Sequence, residues 1–206
     1  MENEVNELLK KVNHKCIVYR TGSKLTKVNF KDSDSDFYVF YLPSKYEFLS
    51  DRDQGKTYHG ETWEAKVFNT AHLFGLLKKT NPNLIEVFFA KPVFVSPELK
   101  SFSDFVYLHR EDLVNVDRKH FVKSAYGMIK SDLSRMSPDK KFLGTGTFGR
   151  ESYNLLKAYD YGKAVALGEP LENHVFKTGD ALTRVRKLKA QSKYSQSVMD
   201  SLQVDK

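Results

Sequence analysis

The spacing of apolar residues divides this chain into a strand-forming part and a helical part. Two short runs of β-branched and aromatic residues, 16–19 and 37–42, are typical of buried strands, and a turn signal follows each of them. From about residue 98, apolar residues recur at helical spacing instead. This order predicts an α+β protein in which residues 1–97 form a core with a small mixed β-sheet and residues 98–206 form a helical portion.

Further elements are predicted around these two strands. The opening segment is expected to form an amphipathic helix, because its apolar residues recur at helical spacing. These residues are Val5, Leu8, Leu9 and Val12. Residues 43–60 are charged and broken by proline and glycine, which predicts a surface loop. A third strand is expected over 62–68, followed by a helix that Asn69 or Thr70 caps and that stops near Pro82.

Helices dominate the predicted structure of the second half. Apolar stripes predict helices over 120–136 and 153–167, joined by a glycine-rich linker over 143–149. Before these helices, residues 92–97 resemble an edge strand, because a proline stands at each end of the segment. The basic run 184–189 has apolar residues between its charges, so it is expected to form a helix that packs on one side and faces phosphates on the other.

The excess of positive charge lies in the C-terminal part of the chain. The net charge of the 206 residues is +7, yet residues 118–206 alone carry 17 Lys and Arg against 9 Asp and Glu. Clustered cations gain affinity for polyanions by releasing counterions from phosphates, so RNA is one expected partner. The alternative is a solvated basic face with no partner.

Several classes of protein are excluded by composition. No apolar run approaches the length of a bilayer span, and the opening segment is acidic where a signal peptide would be basic, so we expect a soluble, cytoplasmic protein. The single cysteine, Cys16, excludes an internal disulfide and a cysteine-built zinc site. Any metal must therefore be held by oxygen or imidazole. The sequence leaves the oligomeric state open.

An Asp-x-Asp pair stands directly before the second strand. Alternation along an extended chain places Asp34 and Asp36 on one side. Two carboxylates so close resist joint ionisation unless a cation lies between them, which suits Mg²⁺ or Mn²⁺. Taken alone, such a pair is more often a turn or a helix cap.

Gly22 and Ser23 directly follow the first strand. Glycine allows close approach of the backbone, and the serine hydroxyl and nearby amides can hold phosphate oxygens. Ten residues separate Ser23 from Asp34, which Asp36 and the second strand follow. This composite pattern resembles the signature of the DNA polymerase β superfamily of nucleotidyltransferases, and it implies a polymerase-β-like nucleotidyltransferase core.

A downstream segment resembles one branch of that superfamily. Residues 80–88 are similar to the Asn-Pro-x-x-x-Glu segment of a bacterial and phage branch associated with RNA repair, and residues 153–157 are loosely similar to its helical half. The abundance of Lys, Asn, Asp, Phe and Tyr indicates an AT-rich genome, which is consistent with a phage. For mechanism, the preferred interpretation of Asn81 and Pro82 is a helix stop, followed by a surface acid, Glu86.

The resemblance implies a set of site residues. Asp34 and Asp36 match the metal-binding pair, and Glu64 is the best match to the third metal-binding and catalytic carboxylate, with Glu61 as the alternative. NTP phosphates are expected to meet four residues, namely Gly22, Ser23, Lys24 and Lys157. Lys27 stands where the branch commonly carries glycine, so its turn must either avoid a positive φ or be strained.

The implied activity is a template-independent, Mg²⁺-dependent transfer of a nucleoside monophosphate from an NTP to a hydroxyl group. The 3′ end of an RNA is the expected acceptor. One alternative is a toxin-type transferase that modifies a protein or a tRNA. Another is a noncatalytic RNA-binding module that keeps the fold with a degraded site.

Overall fold

The computed structural model describes five segments of the chain: residues 2–29, 33–50, 55–79, 81–135 and 148–190. The chain divides into two compact units, Met1–His120 and Phe121–Lys206. The sequence-based division after residue 97 lies at the end of the sheet, and it stays a prediction of where the catalytic core ends.

The first unit contains a five-stranded mixed sheet. Its strands are β1 (Cys16–Thr21), β2 (Ser35–Tyr41), β3 (Lys56–His59), β4 (Trp63–Asn69) and β5 (Phe94–Val95). Their order in the sheet is β3-β4-β2-β1-β5. Strands β2 and β4 run parallel, and the other neighbouring pairs are antiparallel. With the helices around this sheet, the predicted α+β class is confirmed.

Seven helices belong to the first unit as the structure describes it. They are α1 (Glu2–Val12), α2 (Gly22–Leu25), α3 (Lys45–Ser50), α4 (Thr70–Lys78), α5 (Pro82–Ile85), α6 (Lys100–Leu108) and α7 (Arg110–Asn115). Two 3₁₀ turns, Glu86–Phe89 and Pro97–Leu99, lie before and after β5. None of the helices in the described part of the chain is long and apolar enough to cross a membrane.

Apolar layers cover both faces of the sheet. Helix α1 covers one face, which we call the α1 face, where its buried side chains pack with those of alternate strand residues such as Val18 and Phe37. Leu73 of α4 and Leu84 of α5 cover the other, the α5 face, where they pack with Phe40 and other strand residues. Because side chains alternate along a strand, each strand residue is assigned to one face.

Cys16 lies in the core under α1. Its side chain is fully buried, and burial raises the pKa of its thiol to about 11. The reactive thiolate is therefore scarce at neutral pH, and reagents cannot reach it without opening of the core. We expect the native protein to react with a disulfide reagent many times more slowly than the urea-unfolded protein does. An equal rate in the native protein would contradict this burial, and the Lys91→Cys variant, with a thiol at an exposed position, gives the fast reference rate.

The prediction of one surface loop over 43–60 is wrong, because this segment contains α3 and β3. Helix α3 begins with a capping box in which the Glu47 amide donates to the Ser44 hydroxyl (3.2 Å) and the Ser44 amide donates to the Glu47 carboxylate (2.8 Å). These bonds hold the pKa of Glu47 below its ordinary value. Strand β3 consists mostly of exposed residues and is held by its pairing with β4.

The predicted cap of α4 is confirmed, and α5 has a cap that was not predicted. The Asn69 side chain accepts a hydrogen bond from the His72 amide (2.5 Å), so Asn69 caps α4. The Asn81 side chain accepts one from the Asn83 amide (2.9 Å) and Pro82 begins α5, so a new short helix starts where the stop was expected.

The second unit is helical where the structure describes it. Its helices are α8 (Arg118–Arg135), which begins just before the division, α9 (Phe148–Leu167), α10 (Glu172–Val175) and α11 (Gly179–Ala190). The two long helices expected from the apolar stripes are confirmed by α8 and α9. The predicted linker lies outside the described residues except for its last two, which begin α9. In α11, Val185 is buried while Arg184 and Arg186 are exposed, as the basic run predicts.

Candidate active site

Two carboxylates lie side by side where β2 and β4 begin. In the parallel pairing of these strands, Asp36 stands opposite Glu64. Neighbouring strands are about 4.8 Å apart, and residues in register point to the same face. Phe37 points to the α1 face, so both carboxylates belong to the α5 face. Both side chains are half-exposed and accessible to a ligand.

Gly22 brings the turn after β1 against this pair. Thr21, the last residue of β1, stands opposite Asp36, and Gly22 follows with a φ of 65°. A Cβ atom at Gly22 would lie 2.1 Å from Asp36 Oδ2. Glycine is therefore required here both for its backbone conformation and for the close approach of the carboxylate. Ser23 comes next, in the first turn of α2, and is half-buried.

Asp34 lies outside the strand. Strand β2 begins at Ser35, so Asp36 is inside the strand and Asp34 precedes it, exposed. Among the described residues, no group of three or more histidine, cysteine, aspartate or glutamate side chains is arranged to hold a metal. Joint metal binding by Asp34, Asp36 and Glu64 thus stays a prediction. Paired carboxylates do fit Mg²⁺, which proteins often bind through one or two carboxylates together with substrate phosphates.

Glu64 and Glu61 differ in their position relative to Asp36. Glu61 is exposed in the turn between β3 and β4, whereas Glu64 is inside β4 and in register with Asp36. His59, opposite Glu64 on β3, places its Nδ1 atom 3.7 Å from the Glu64 carboxylate. This geometry favours Glu64 over Glu61 as the third carboxylate.

Tyr38 and Glu86 are two residues near this pair that the sequence did not indicate as functional. Tyr38 follows Asp36 by two residues on the same face of β2. Burial, together with the negative charges of Glu86, Asp36 and Glu64, raises the pKa of Tyr38 to about 12. The phenol therefore keeps its proton throughout the physiological range. Alternation along β2 is the sequence signal that could have indicated Tyr38.

The prediction that Glu86 is a surface acid is wrong. Its side chain is only 3% exposed. Glu86 opens the 3₁₀ turn whose next residues, Val87 and Phe88, belong to the apolar core of the α5 face. Because this turn is drawn into the core, its first residue is buried with it.

Lys24 reaches toward the α1 face. Its ammonium donates a hydrogen bond to the Ser35 hydroxyl (2.8 Å), and that hydroxyl donates to the Glu4 carboxylate of α1 (3.0 Å). Burial alone would raise the pKa of Glu4, but hydrogen bonds from Ser35 and Thr62 and the charge of Lys24 bring it below its ordinary value. Lys24 thus links α2 to α1 through Ser35, and its contact with NTP phosphates stays a prediction.

Lys157 lies in the second unit, within α9. Its side chain is buried, and its ammonium is 5.8 Å from the centre of the Tyr153 ring. The Lys189 ammonium lies 5.6 Å from the same ring. Both lie within the range of cation–π attraction. The role of Lys157 in binding NTP stays a prediction.

Lys27 adopts the left-handed backbone conformation, which is one of the two outcomes expected where the branch carries glycine. Its φ is 59°, in the region that favours glycine over residues with a Cβ atom. We expect Lys27→Gly to raise the free energy of unfolding by up to about 1 kcal/mol, because relief of strain exceeds the entropic cost of glycine. Urea unfolding measures the change. Lys91→Gly, at an exposed residue without a positive φ, should destabilise instead, and the same loss at both positions would disprove strain at Lys27.

Fold and site together define an α+β protein with a carboxylate pair and a glycine-serine turn at one end of a mixed sheet. No family model and no curated protein matches the chain. Among solved structures, the chain is similar to a nucleotidyltransferase-like protein from Exiguobacterium sibiricum 255-15, with a TM-score of 0.41 and 10% sequence identity. That match covers 98% of this chain and 75% of the other. The function must therefore be argued from the residues of the site.

Proposed function

We propose that this protein is a nucleotidyltransferase that transfers a nucleoside monophosphate from an NTP to a hydroxyl group. One observation carries the proposal: Gly22 lies against the carboxylate of Asp36, and Asp36 is in register with Glu64 on a parallel neighbour. A glycine-serine turn and two acidic side chains thus meet at one end of the sheet. Phosphoryl transfer uses such a combination, because the phosphates must be held in position while a cation neutralises their charge.

Asp36 and Glu64, with Asp34 before them, are the residues that would hold Mg²⁺ or Mn²⁺. When bound, such a cation neutralises charge on the triphosphate and lowers the pKa of the attacking hydroxyl. The hydroxyl of Ser23 and the amides of its turn are suited to donate hydrogen bonds to phosphate oxygens. Gly22 keeps that turn close to Asp36. Tyr38, protonated at neutral pH, can donate a hydrogen bond at the same face.

The acceptor is proposed to be the 3′ end of an RNA, without a template. Support comes from the charge of residues 118–206, with 17 Lys and Arg against 9 Asp and Glu. Within this range, helix α11 carries two exposed arginines, Arg184 and Arg186, that flank its buried Val185. A basic helix of this kind suits the RNA backbone, to which its arginines can donate hydrogen bonds.

Incubation with labelled NTPs, Mg²⁺ and a single-stranded RNA tests this function. We expect the label on the RNA, no label after chelation of the metal, and no label with the Asp36→Asn variant. Label on an added protein or at an internal position of a tRNA would show that the proposed acceptor is wrong, and it would indicate a toxin-type transferase. RNA binding without NTP binding or transfer, unchanged in Asp36→Asn, would disprove the enzyme and indicate a noncatalytic module.

A further inference from the structure

Arg20 presents a buried cationic nitrogen that no group in the described part of the chain satisfies. Arg20 is the fifth of six residues in β1, and its side chain is half-buried. Its Nε atom is buried and has no hydrogen-bond partner among the described residues. An arginine keeps its charge at every physiological pH, and a buried charged donor without an acceptor is destabilising. Such a group in a folded protein calls for an explanation, commonly a water or an ion.

The strand pattern places Arg20 on the opposite face from the carboxylate pair. Cys16 and Val18 belong to the core of the α1 face, so alternation assigns Arg20 to that face too. Strand β5 pairs with β1 only at Ile17 and Val18, and it ends its pairing before Arg20. Arg20 therefore stands near the end of β1, beyond its pairing with β5 and two residues before Gly22.

Among the described residues at this end of the α1 face, Lys24 and Arg20 differ in how their charges are paired. Lys24 also reaches this face, but Ser35 connects its ammonium to the carboxylate of Glu4. Arg20 has no such connection, since no ion pair joins it to a carboxylate of the described residues. Asp36, the nearest acid of the candidate site in the sheet, points to the α5 face.

We propose that Arg20 binds a phosphate oxyanion at the end of β1, on the α1 face. The planar guanidinium group offers parallel N–H donors that match two phosphate oxygens, and no ion pair with a carboxylate of the described residues occupies them. The phosphate belongs either to the polyphosphate of a nucleotide or to a phosphodiester of a nucleic-acid strand. The choice between these sources rests on the proposed function, whereas oxyanion binding by Arg20 does not.

Calorimetry without metal tests the binding directly, with tripolyphosphate in one arm and an RNA oligomer lacking terminal phosphates in the other. Arg20→Met keeps the length of the side chain and removes its charge, and Arg20→Lys restores the charge. We expect Arg20→Met to lower the affinity for one of the two ligands about tenfold or more. Arg20→Lys should recover part of this affinity. Lys79→Met, which removes a positive charge at an exposed residue of the same unit outside residues 118–206, should bind as the wild type does.

The two ligands distinguish a nucleotide from a nucleic-acid strand as the source of the phosphate. Weaker tripolyphosphate binding identifies a nucleotide site, and weaker RNA binding alone identifies a strand site. Equal binding of both ligands by wild type and Arg20→Met would overturn the proposal. So would a clear fall in the melting temperature of ligand-free Arg20→Met, because it would mean that Arg20 has a structural partner; we expect an equal or higher value. If the wild type transfers no nucleotide yet binds an anion through Arg20, the proposed function alone fails.

Discussion

Gly22→Ala is expected to lower the free energy of unfolding by about 2–5 kcal/mol and to abolish nucleotide transfer. The added methyl group meets two separate obstacles. A residue with a Cβ atom is strained at a φ of 65°, and the new atom would lie 2.1 Å from Asp36 Oδ2. Either the turn or the carboxylate must move, and both belong to the candidate site. Urea unfolding followed by circular dichroism measures the first effect, and the labelling assay measures the second.

Two other glycines provide matched controls for this substitution. A Cβ atom at Gly75 or at Gly127 would meet nothing within 4 Å, and both residues lie inside helices. Alanine favours a helix interior over glycine, so Gly75→Ala and Gly127→Ala should stabilise the protein by up to about 1 kcal/mol. Unfolding of Gly22→Ala at the same urea concentration as these controls would show that the turn does not contact Asp36.

Elements with a strong local pattern could be predicted from the sequence. Strands β1 and β2 are runs of β-branched and aromatic residues, and α1 carries its apolar residues at helical spacing, so each pattern matches the face that is buried. The start of α4 was also predictable, because Asn69 carries its own acceptor for the first turn. In these cases residues a few positions apart determine the structure.

Within residues 43–60, the sequence contains a signal for helix α3 but none for strand β3. Ser44 and Glu47 have the spacing of a capping box, so the start of α3 could have been found. Strand β3 has no such local mark, because its residues are mostly exposed and do not alternate in polarity. Its extended form depends on β4, a partner that the pattern of β3 does not specify.

The candidate site combines local and nonlocal information in the same way. The order of Gly22, Ser23 and Asp36 along the chain pointed to one site, and Gly22 does touch Asp36. The burial of Glu86 and the bond from Lys24 to Ser35 depend on how distant segments pack. The periodicity of the sequence cannot predict those contacts, because the local sequence of each residue does not determine which distant segment its side chain meets.

Glu64→Gln is expected to lower the rate of nucleotide transfer by about 10²–10³-fold, the cost typical of losing one electrostatic group at a reacting centre. Glutamine keeps the size of the side chain and removes its charge. The Glu64 side chain is 42% exposed, so the substitution should leave the folded structure unchanged. The rate is measured with labelled NTP and RNA at saturating concentrations, and circular dichroism checks the fold.

Glu61→Gln is the matched control, because it makes the same chemical change three residues earlier in the same hairpin. Glu61 is exposed in the turn, outside the register that joins Asp36 to Glu64. Its variant should therefore transfer nucleotides at nearly the wild-type rate. The reverse result, with activity lost only in Glu61→Gln, would assign the third carboxylate to the turn and would require the hairpin to fold back toward Asp36. Full activity in both variants would remove β4 from the chemistry and leave Asp34 and Asp36 as the acidic pair.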